Sequence, residues 1–355
     1  MERMLRTYIS ALHGLSDGSL LKTLASALLL ALAPTSCTLI DDDRSDCERH
    51  FLVRYEVTLR TNLTTEVSTV LRSRSENAVA DLLEQTLGTV FREYATDVDL
   101  SFYAEDMRRH HEQHTMNAGQ EVVELVLPAA DYRHLALANI AEETQVSMAD
   151  ADAVGYARLV QAAGDTIDSH ATGLFTARED MDVRSDADQS FAVSLYMANS
   201  ASVLVICTDN VDYRQCRVVS TDFADGFMVS DSLYTRATAP VVRDRRIDGA
   251  PANREVFYAV TFPSCDTAAE AQAKSRADSQ TGSSDAGRIW RKQVFVTMPD
   301  GSITRTVVNV STPLRAGQAA VIYAYMKPDG SIVSPNVDVT TSVKLNWTDG
   351  LIIEN

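Results

Sequence analysis

The sequence lacks the short motifs that most often mark an enzyme. Its 355 residues hold no Gly-rich phosphate loop and no Gly-x-Ser-x-Gly nucleophile elbow. The acidic residues are scattered, without a pairing that would separate glycosidase carboxylates from surface charge. The sequence therefore predicts neither an enzyme nor a bound cofactor. It leaves open only a hydrolase whose site is assembled from distant loops.

Basic residues are in the minority. The 49 Asp and Glu residues outnumber the 32 Lys and Arg residues, which gives a formal net charge of −17 at pH 7. Such a surface repels phosphate backbones and anionic membranes, and it favours solubility. We therefore expect no nucleic-acid partner.

Long apolar runs are missing beyond the amino terminus. There, three basic residues and the run from Leu24 to Ala33 match the charged and apolar regions of a signal peptide, and the run is too short to span a bilayer. Small residues lead up to Cys37, which is the predicted lipidation site, although a lipobox usually has Leu where this chain has Pro34. The sequence thus predicts a lipoprotein signal peptide over 1–36 and a lipidated acidic spacer over 37–48. Ordinary secretion with cleavage elsewhere is the alternative.

Cysteines are few, and export to an oxidising compartment would allow them to pair. Cys47, Cys207, Cys216 and Cys265 follow the predicted lipidation site, with three possible full pairings. Cys207 and Cys216 flank a plausible hairpin turn, so we favour a disulfide between them. A zinc site is the alternative, but the spacing is irregular and no histidine is close in sequence.

Alternating apolar residues dominate the rest of the chain. The segment from Phe51 to Leu59 predicts a half-buried strand, and helical spacing between Asn77 and Glu93 predicts one helix. Many short strand patterns follow, joined by turns such as Pro299 to Gly301, which favours antiparallel sandwiches over a parallel sheet. The predicted fold is all-β with one or two helices. It comprises an N-terminal β-sandwich domain over 49–186 and a C-terminal one over 187–355.

Two further features invite a functional interpretation. In a helix, His110 and His114 would share a face as zinc ligands can, but His111 occupies the place of the general-base glutamate. We therefore interpret residues 108–114 as a solvated loop and predict no metal site. Trp290 is a candidate ligand contact that could stack on carbohydrate beside the loop at 264–287, although a strand-edge anchor is the favoured interpretation.

Several short motifs carry a resemblance to a known family. They are the pair Asp46 and Cys47 after the acidic spacer, the opening strand at 53–55, the run from Leu127 to Tyr132 that leads into 135–139, and the closing stretch from Ser342 to Trp347. These motifs resemble the fimbrial anchor subunits of Bacteroidales, the family of the major and minor fimbrium anchoring subunits. The likeness covers nearly the whole chain after residue 37.

The resemblance implies a fold and a role. The fold would be two tandem transthyretin-like antiparallel β-sandwich domains. The role would be that of a subunit lipid-anchored in the cell outer membrane through Cys37, anchoring or terminating a type V fimbria through donor-strand type contacts with fimbrial structural subunits. The alternative function is a surface lipoprotein that binds glycan or another ligand through its sandwich loops.

Overall fold

The computed structural model describes residues 50–61, 63–184, 189–238, 240–264, 290–335 and 338–345. The predicted leader and spacer, and all of the 264–287 loop except Ser264, lie outside these ranges. Within them no helix is long and apolar enough to cross a membrane.

The described chain contains two α-helices, one 3-10 helix over Val154–Tyr156 and twenty-two strands, numbered here in chain order. The helices are α1 (Leu63–Ser73) and α2 (Asn77–Val90). The strands are β1 (His50–Arg60), β2 (Asp97–Ala104), β3 (Met107–Thr115), β4 (Val122–Pro128), β5 (Ala130–Ala138), β6 (Val146–Ala149), β7 (Arg158–Gln161), β8 (Thr166–Asp168), β9 (Phe175–Val183), β10 (Gln189–Met197), β11 (Ser200–Cys207), β12 (Gln215–Thr221), β13 (Gly226–Met228), β14 (Leu233–Thr235), β15 (Val241–Arg243), β16 (Arg245–Arg246), β17 (Arg254–Thr261), β18 (Trp290–Thr297), β19 (Ile303–Val310), β20 (Ala319–Met326), β21 (Ile332–Val333) and β22 (Asp338–Leu345).

The first sandwich forms from seven strands in the order β3-β2-β5-β9-β10-β1-β4. Strands β9 and β10 pair only at Thr176 with Tyr196 and at Phe175 with Met197. Tyr55 of β1 nevertheless contacts His134 of β5, although two strands separate β1 from β5 in the order. The strands therefore fold over at the β9–β10 corner into two facing layers, β3-β2-β5-β9 and β10-β1-β4.

A helical hairpin extends the core of this sandwich. Helix α1 buries Leu63, Val67 and Leu71, which lie on one face at a spacing of four residues, and α2 buries a similar stripe that includes Leu83 and Leu87. Both stripes join one apolar cluster with the inward side chains of β1 and one face of β11 and β17. The sequence predicted only the second helix, because the first is rich in Ser and Thr.

The second sandwich packs two sheets face to face. Its five-stranded sheet has the order β16-β17-β11-β20-β21, and its six-stranded sheet has the order β22-β19-β18-β12-β15-β8. A second apolar cluster lies between them and includes Leu204, Phe257 and Trp290. The five-stranded sheet is covered on its other face by the first core, which explains why β11 is apolar on both faces.

Strand pairing crosses the predicted domain boundary at residue 186. Strand β10 follows that boundary, yet it pairs in parallel with β1 over eight positions, from Val53 with Gln189 to Arg60 with Tyr196. Strand β8 precedes the boundary, yet it pairs with β15 of the second sandwich. A small sheet of order β14-β13-β7-β6 also combines strands from both sides. The first sandwich therefore includes residues up to Met197.

The predicted all-β sandwich architecture with one or two helices is confirmed. Most strand pairs are antiparallel, but β1 with β10, β11 with β20 and β15 with β8 run parallel.

Candidate functional site

The described strand nearest to the predicted tether is a central strand of the first sandwich. Cys37 lies outside the described residues, and the described chain begins at His50 with β1. Strand β1 pairs with β4 from His50 to Glu56 and with β10 from Val53 to Arg60, so its middle, from Val53 to Glu56, is paired on both edges. Its inward side chains Val53, Tyr55 and Val57 are at most 4% exposed. Each such buried side chain contributes about 1.5–3 kcal/mol, so β1 is held firmly in the first sandwich.

A buried polar pair joins β1 to the opposite layer. The hydroxyl of Tyr55 donates to Nε2 of His134, and Nδ1 of that imidazole lies 3.3 Å from the carbonyl oxygen of Glu179. The His134 ring also stacks on Phe102 at 5.5 Å. Desolvation raises the pKa of Tyr55 and lowers the pKa of His134 to about 4, so both groups are neutral at physiological pH. Alternation in β5 places His134 inside, at a position that no sequence motif marks.

Among the described residues, the first sandwich presents an unpaired strand edge at β4. Strands β3 and β4 end the strand order, but β3 is bridged at Met107 to Ala153, and β9 and β10 separate beyond the corner at Thr176 and Tyr196. On the outer face, Leu52 of β1 lies opposite Val126 of β4, and these side chains are 42% and 51% exposed. Open edges and exposed apolar side chains are the features that an added strand can satisfy.

Cys207 and Cys216 are not on adjacent strands. Cys207 ends β11 in the five-stranded sheet, whereas Cys216 lies on β12 in the six-stranded sheet. Both are free thiols. The Cys207 thiol contacts Asp209 at 2.9 Å and Arg254 at 3.2 Å, while the Cys216 thiol is buried in the second core, where desolvation raises its pKa. The predicted disulfide between Cys207 and Cys216 is therefore wrong, because the segment between the two cysteines links two sheets and is not a hairpin.

Trp290 is not a surface residue. Its side chain is fully buried in the second core, beside Phe223 at 5.4 Å. Its Nε1 donates to the carbonyl oxygen of Thr312 at 2.9 Å, which satisfies the indole. The burial of its side chain contradicts the prediction of Trp290 as a ligand contact and supports a structural role at the start of β18.

The histidine cluster forms an edge strand. Residues 107–115 make up β3, where the sequence predicted a solvated loop. His110 and His114 both contact the carboxylate of Glu112, at 2.6 and 2.8 Å, and His111 contacts Asp99 at 3.0 Å. Within the described residues, no group of three or more His, Cys, Asp and Glu side chains is arranged to hold a metal ion.

Comparison with known proteins identifies the family. Residues 46–232, more than half of the chain, match the model of the fimbrillin-A associated anchor proteins Mfa1 and Mfa2. No curated protein matches the chain.

Solved structures of adhesin and fimbrial proteins match most of the chain at low sequence identity. An adhesin candidate from Bacteroides ovatus is 10% identical, with a TM-score of 0.49, and the match covers 83% of this chain and 97% of that one. The fimbrial anchor protein Mfa2 from Porphyromonas gingivalis is 9% identical, with a TM-score of 0.42, and the match covers 83% of this chain and 97% of that one. The assignment therefore rests on the family model. The chain belongs to the family of fimbrillin-A associated anchor proteins, which are cell-surface fimbrial proteins and not enzymes.

Proposed function

We propose that this protein is a lipid-anchored subunit that holds or terminates a type V fimbria on the outer membrane. The lipid would be attached to Cys37, and other fimbrial structural subunits would be joined through donor-strand type contacts. Membership of the anchor family supports the fimbrial role. The apolar run before Cys37 supports the lipid attachment.

One observation carries the anchoring role most directly, namely that the described strand nearest to Cys37 in sequence is a central strand of the first sandwich. Twelve residues separate Cys37 from His50, and β1 begins at His50. Twelve residues extend to at most about 40 Å, so the first sandwich would stay close to the membrane. Because β1 is paired on both sides and its inward face is buried, tension on the lipid would act on the whole first sandwich.

The open edges support the contacts with other subunits. Within the part of the chain that the structure describes, strand β4 has a paired neighbour on one side only, and Val126 on β4 and Leu52 on the neighbouring β1 expose apolar surface on the outer face. A strand from another subunit would satisfy the free backbone groups and cover this surface. The family name of the matched model associates its members with fimbrillin, which supports a fimbrial subunit as the partner.

The experiment is to isolate the wild type and Cys37→Ala from membranes and to analyse the amino-terminal peptide and the co-purifying chains by mass spectrometry. We expect an acylated peptide that begins at Cys37 in the wild type, fimbrial subunits that co-purify with it, and loss of membrane association in Cys37→Ala. An unmodified Cys37 with no polymer partners would overturn the proposal.

The same peptides test whether the tether stays intact. Arg44, Arg49 and Arg60 lie between Cys37 and the rest of the fold, and Arg60 is the last residue of β1. An anchor must keep the bonds after these arginines, because cleavage would separate the lipid from the sandwich. A surface pool that begins mainly at Ser45, His50 or Thr61 would instead indicate a shed polymer subunit.

A further inference from the structure

A cleft of about 330 Å³ lies at the corner of the first sandwich. It opens where β9 and β10 separate, next to the pairs Thr176 with Tyr196 and Phe175 with Met197. The hairpin of β13 and β14 closes the opposite wall, with Phe227 and Tyr234 among the lining residues. Its volume lies within the range of small-molecule sites.

The walls of the cleft are held in place by contacts across it. Nη1 of Arg178 in β9 donates to the carbonyl oxygen of Ser230, which ties the first sandwich to the opposite wall. The hydroxyl of Tyr234 donates to the carbonyl oxygen of Ala198 at 2.6 Å, and its ring packs 4.7 Å from Phe227. The cleft is therefore largely preformed, which lowers the entropy cost of binding.

The lining combines an exposed aromatic ring with unused hydroxyl groups. Tyr196 is 64% exposed at the rim. Thr176, Ser194 and Ser232 line the cleft, and their hydroxyls have no hydrogen-bond partner among the described residues. Ser230, whose carbonyl oxygen accepts from Arg178, is 4% exposed, and its Oγ also lacks a partner among the described residues. Each hydroxyl can both donate and accept a hydrogen bond.

We propose that this cleft binds a neutral hexose unit of a surface glycan, with the ring of Tyr196 as its stacking platform. A pyranose has an apolar face that packs on an aromatic ring and a rim of hydroxyls that pair with donor and acceptor groups, and this lining offers both, together with the polar side chains of Arg178 and Glu179. The net charge of −17 disfavours sialylated and sulfated glycans. This site is independent of the lipid tether, so its failure would leave the anchoring proposal untouched.

The test uses the mature full-length protein on an array of neutral and acidic glycans, followed by calorimetric titration of the best neutral oligosaccharide. We expect binding to neutral glycans, with a Kd on the order of 1 mM for a single site with one aromatic platform. Tyr196→Ala should weaken binding about tenfold, whereas Tyr196→Phe, which keeps the ring, should stay within about twofold.

Tyr325→Ala is the matched control, because Tyr325 is a strand tyrosine of the second sandwich that is 52% exposed and lies outside the cleft. It should bind as the wild type does. No binding to any neutral glycan, binding to acidic glycans alone, or equal affinity in the wild type and Tyr196→Ala would each overturn the proposal.

Discussion

Each sandwich contains a buried polar pair, and the two pairs differ in their charge state. In the first core, Tyr55 and His134 are a neutral pair, because desolvation holds both groups in their uncharged forms. In the second core, Nζ of Lys292 lies 2.5 Å from Oδ2 of Asp244, and both side chains are fully buried. A neutral pair is sensitive to acid, whereas an ion pair is sensitive to the removal of one partner.

The ion pair lies where the chain passes from one sheet of the second sandwich to the other. Asp244 lies between β15 of the six-stranded sheet and β16 of the five-stranded sheet, so the chain changes sheets at this residue. Lys292 also donates to the hydroxyls of Ser202 and Ser220, each at 2.8 Å. Burial lowers the pKa of Lys292, while the neighbouring carboxylate opposes that shift. The ammonium thus links β18, β12, β11 and the crossing segment.

The largest effect should come from breaking this ion pair on one side. Lys292→Met leaves the Asp244 carboxylate buried without its cation, so we expect the free energy of unfolding to fall by about 3–5 kcal/mol. Urea unfolding followed by circular dichroism measures it. The double variant Lys292→Met with Asp244→Leu removes both charges and should recover much of the loss. Equal stability of the wild type and the single variant would contradict the role of the pair.

A smaller effect should appear when acid protonates the buried imidazole of the first core. Burial lowers the pKa of His134 to about 4, against about 6.5 in the unfolded chain. The unfolded state therefore binds more protons between these values, so stability falls as the pH drops from about 6.5 to about 4. The contribution of His134 is about 1.4 kcal/mol per pH unit in this window. In His134→Gln, urea unfolding at several pH values should show a slope reduced by that amount, and an unchanged slope would refute the neutral pair.

The smallest effect should be found where α2 meets the second sandwich. Arg254 of β17 contacts Glu76 at 2.8 Å, and the two side chains are only 18% and 21% exposed. Arg254→Ala should therefore cost about 1 kcal/mol in thermal or urea unfolding. The matched control is Arg243→Ala, whose pair with Asp168 is more than half exposed on both sides and should cost less than about 0.5 kcal/mol. A larger loss in the control would show that burial does not set the strength of these pairs.

Strong periodic patterns in the sequence predicted the fold class, whereas the order of the strands depends on long-range pairing that no local pattern shows. The alternation from Phe51 to Leu59 predicted β1, and the apolar stripe from Asn77 predicted α2. Helix α1 was missed because only Leu63, Val67 and Leu71 mark its buried face among Ser and Thr residues. The histidine strand was missed because β3 is an edge with no fully buried face.

The candidate site was harder to predict, because it depends on which strands meet. Cys207 and Cys216 are close in sequence, but the chain between them passes from one sheet to the other. Trp290 is flanked by basic residues, yet it begins a strand whose alternate side chains fill the second core. Tyr196 gave no signal as a contact residue, since the cleft exists only where β9 and β10 separate.

The most direct test of Cys37 as the tether measures where the fimbrial polymer is found. Cells that express the wild type or Cys37→Ala would be pelleted, and polymer subunits would be quantified in the pellet and in the medium. If the lipid on Cys37 holds the fimbria, the wild type keeps most of the polymer with the cells and Cys37→Ala releases most of it. Equal retention by both would contradict a tether at this residue.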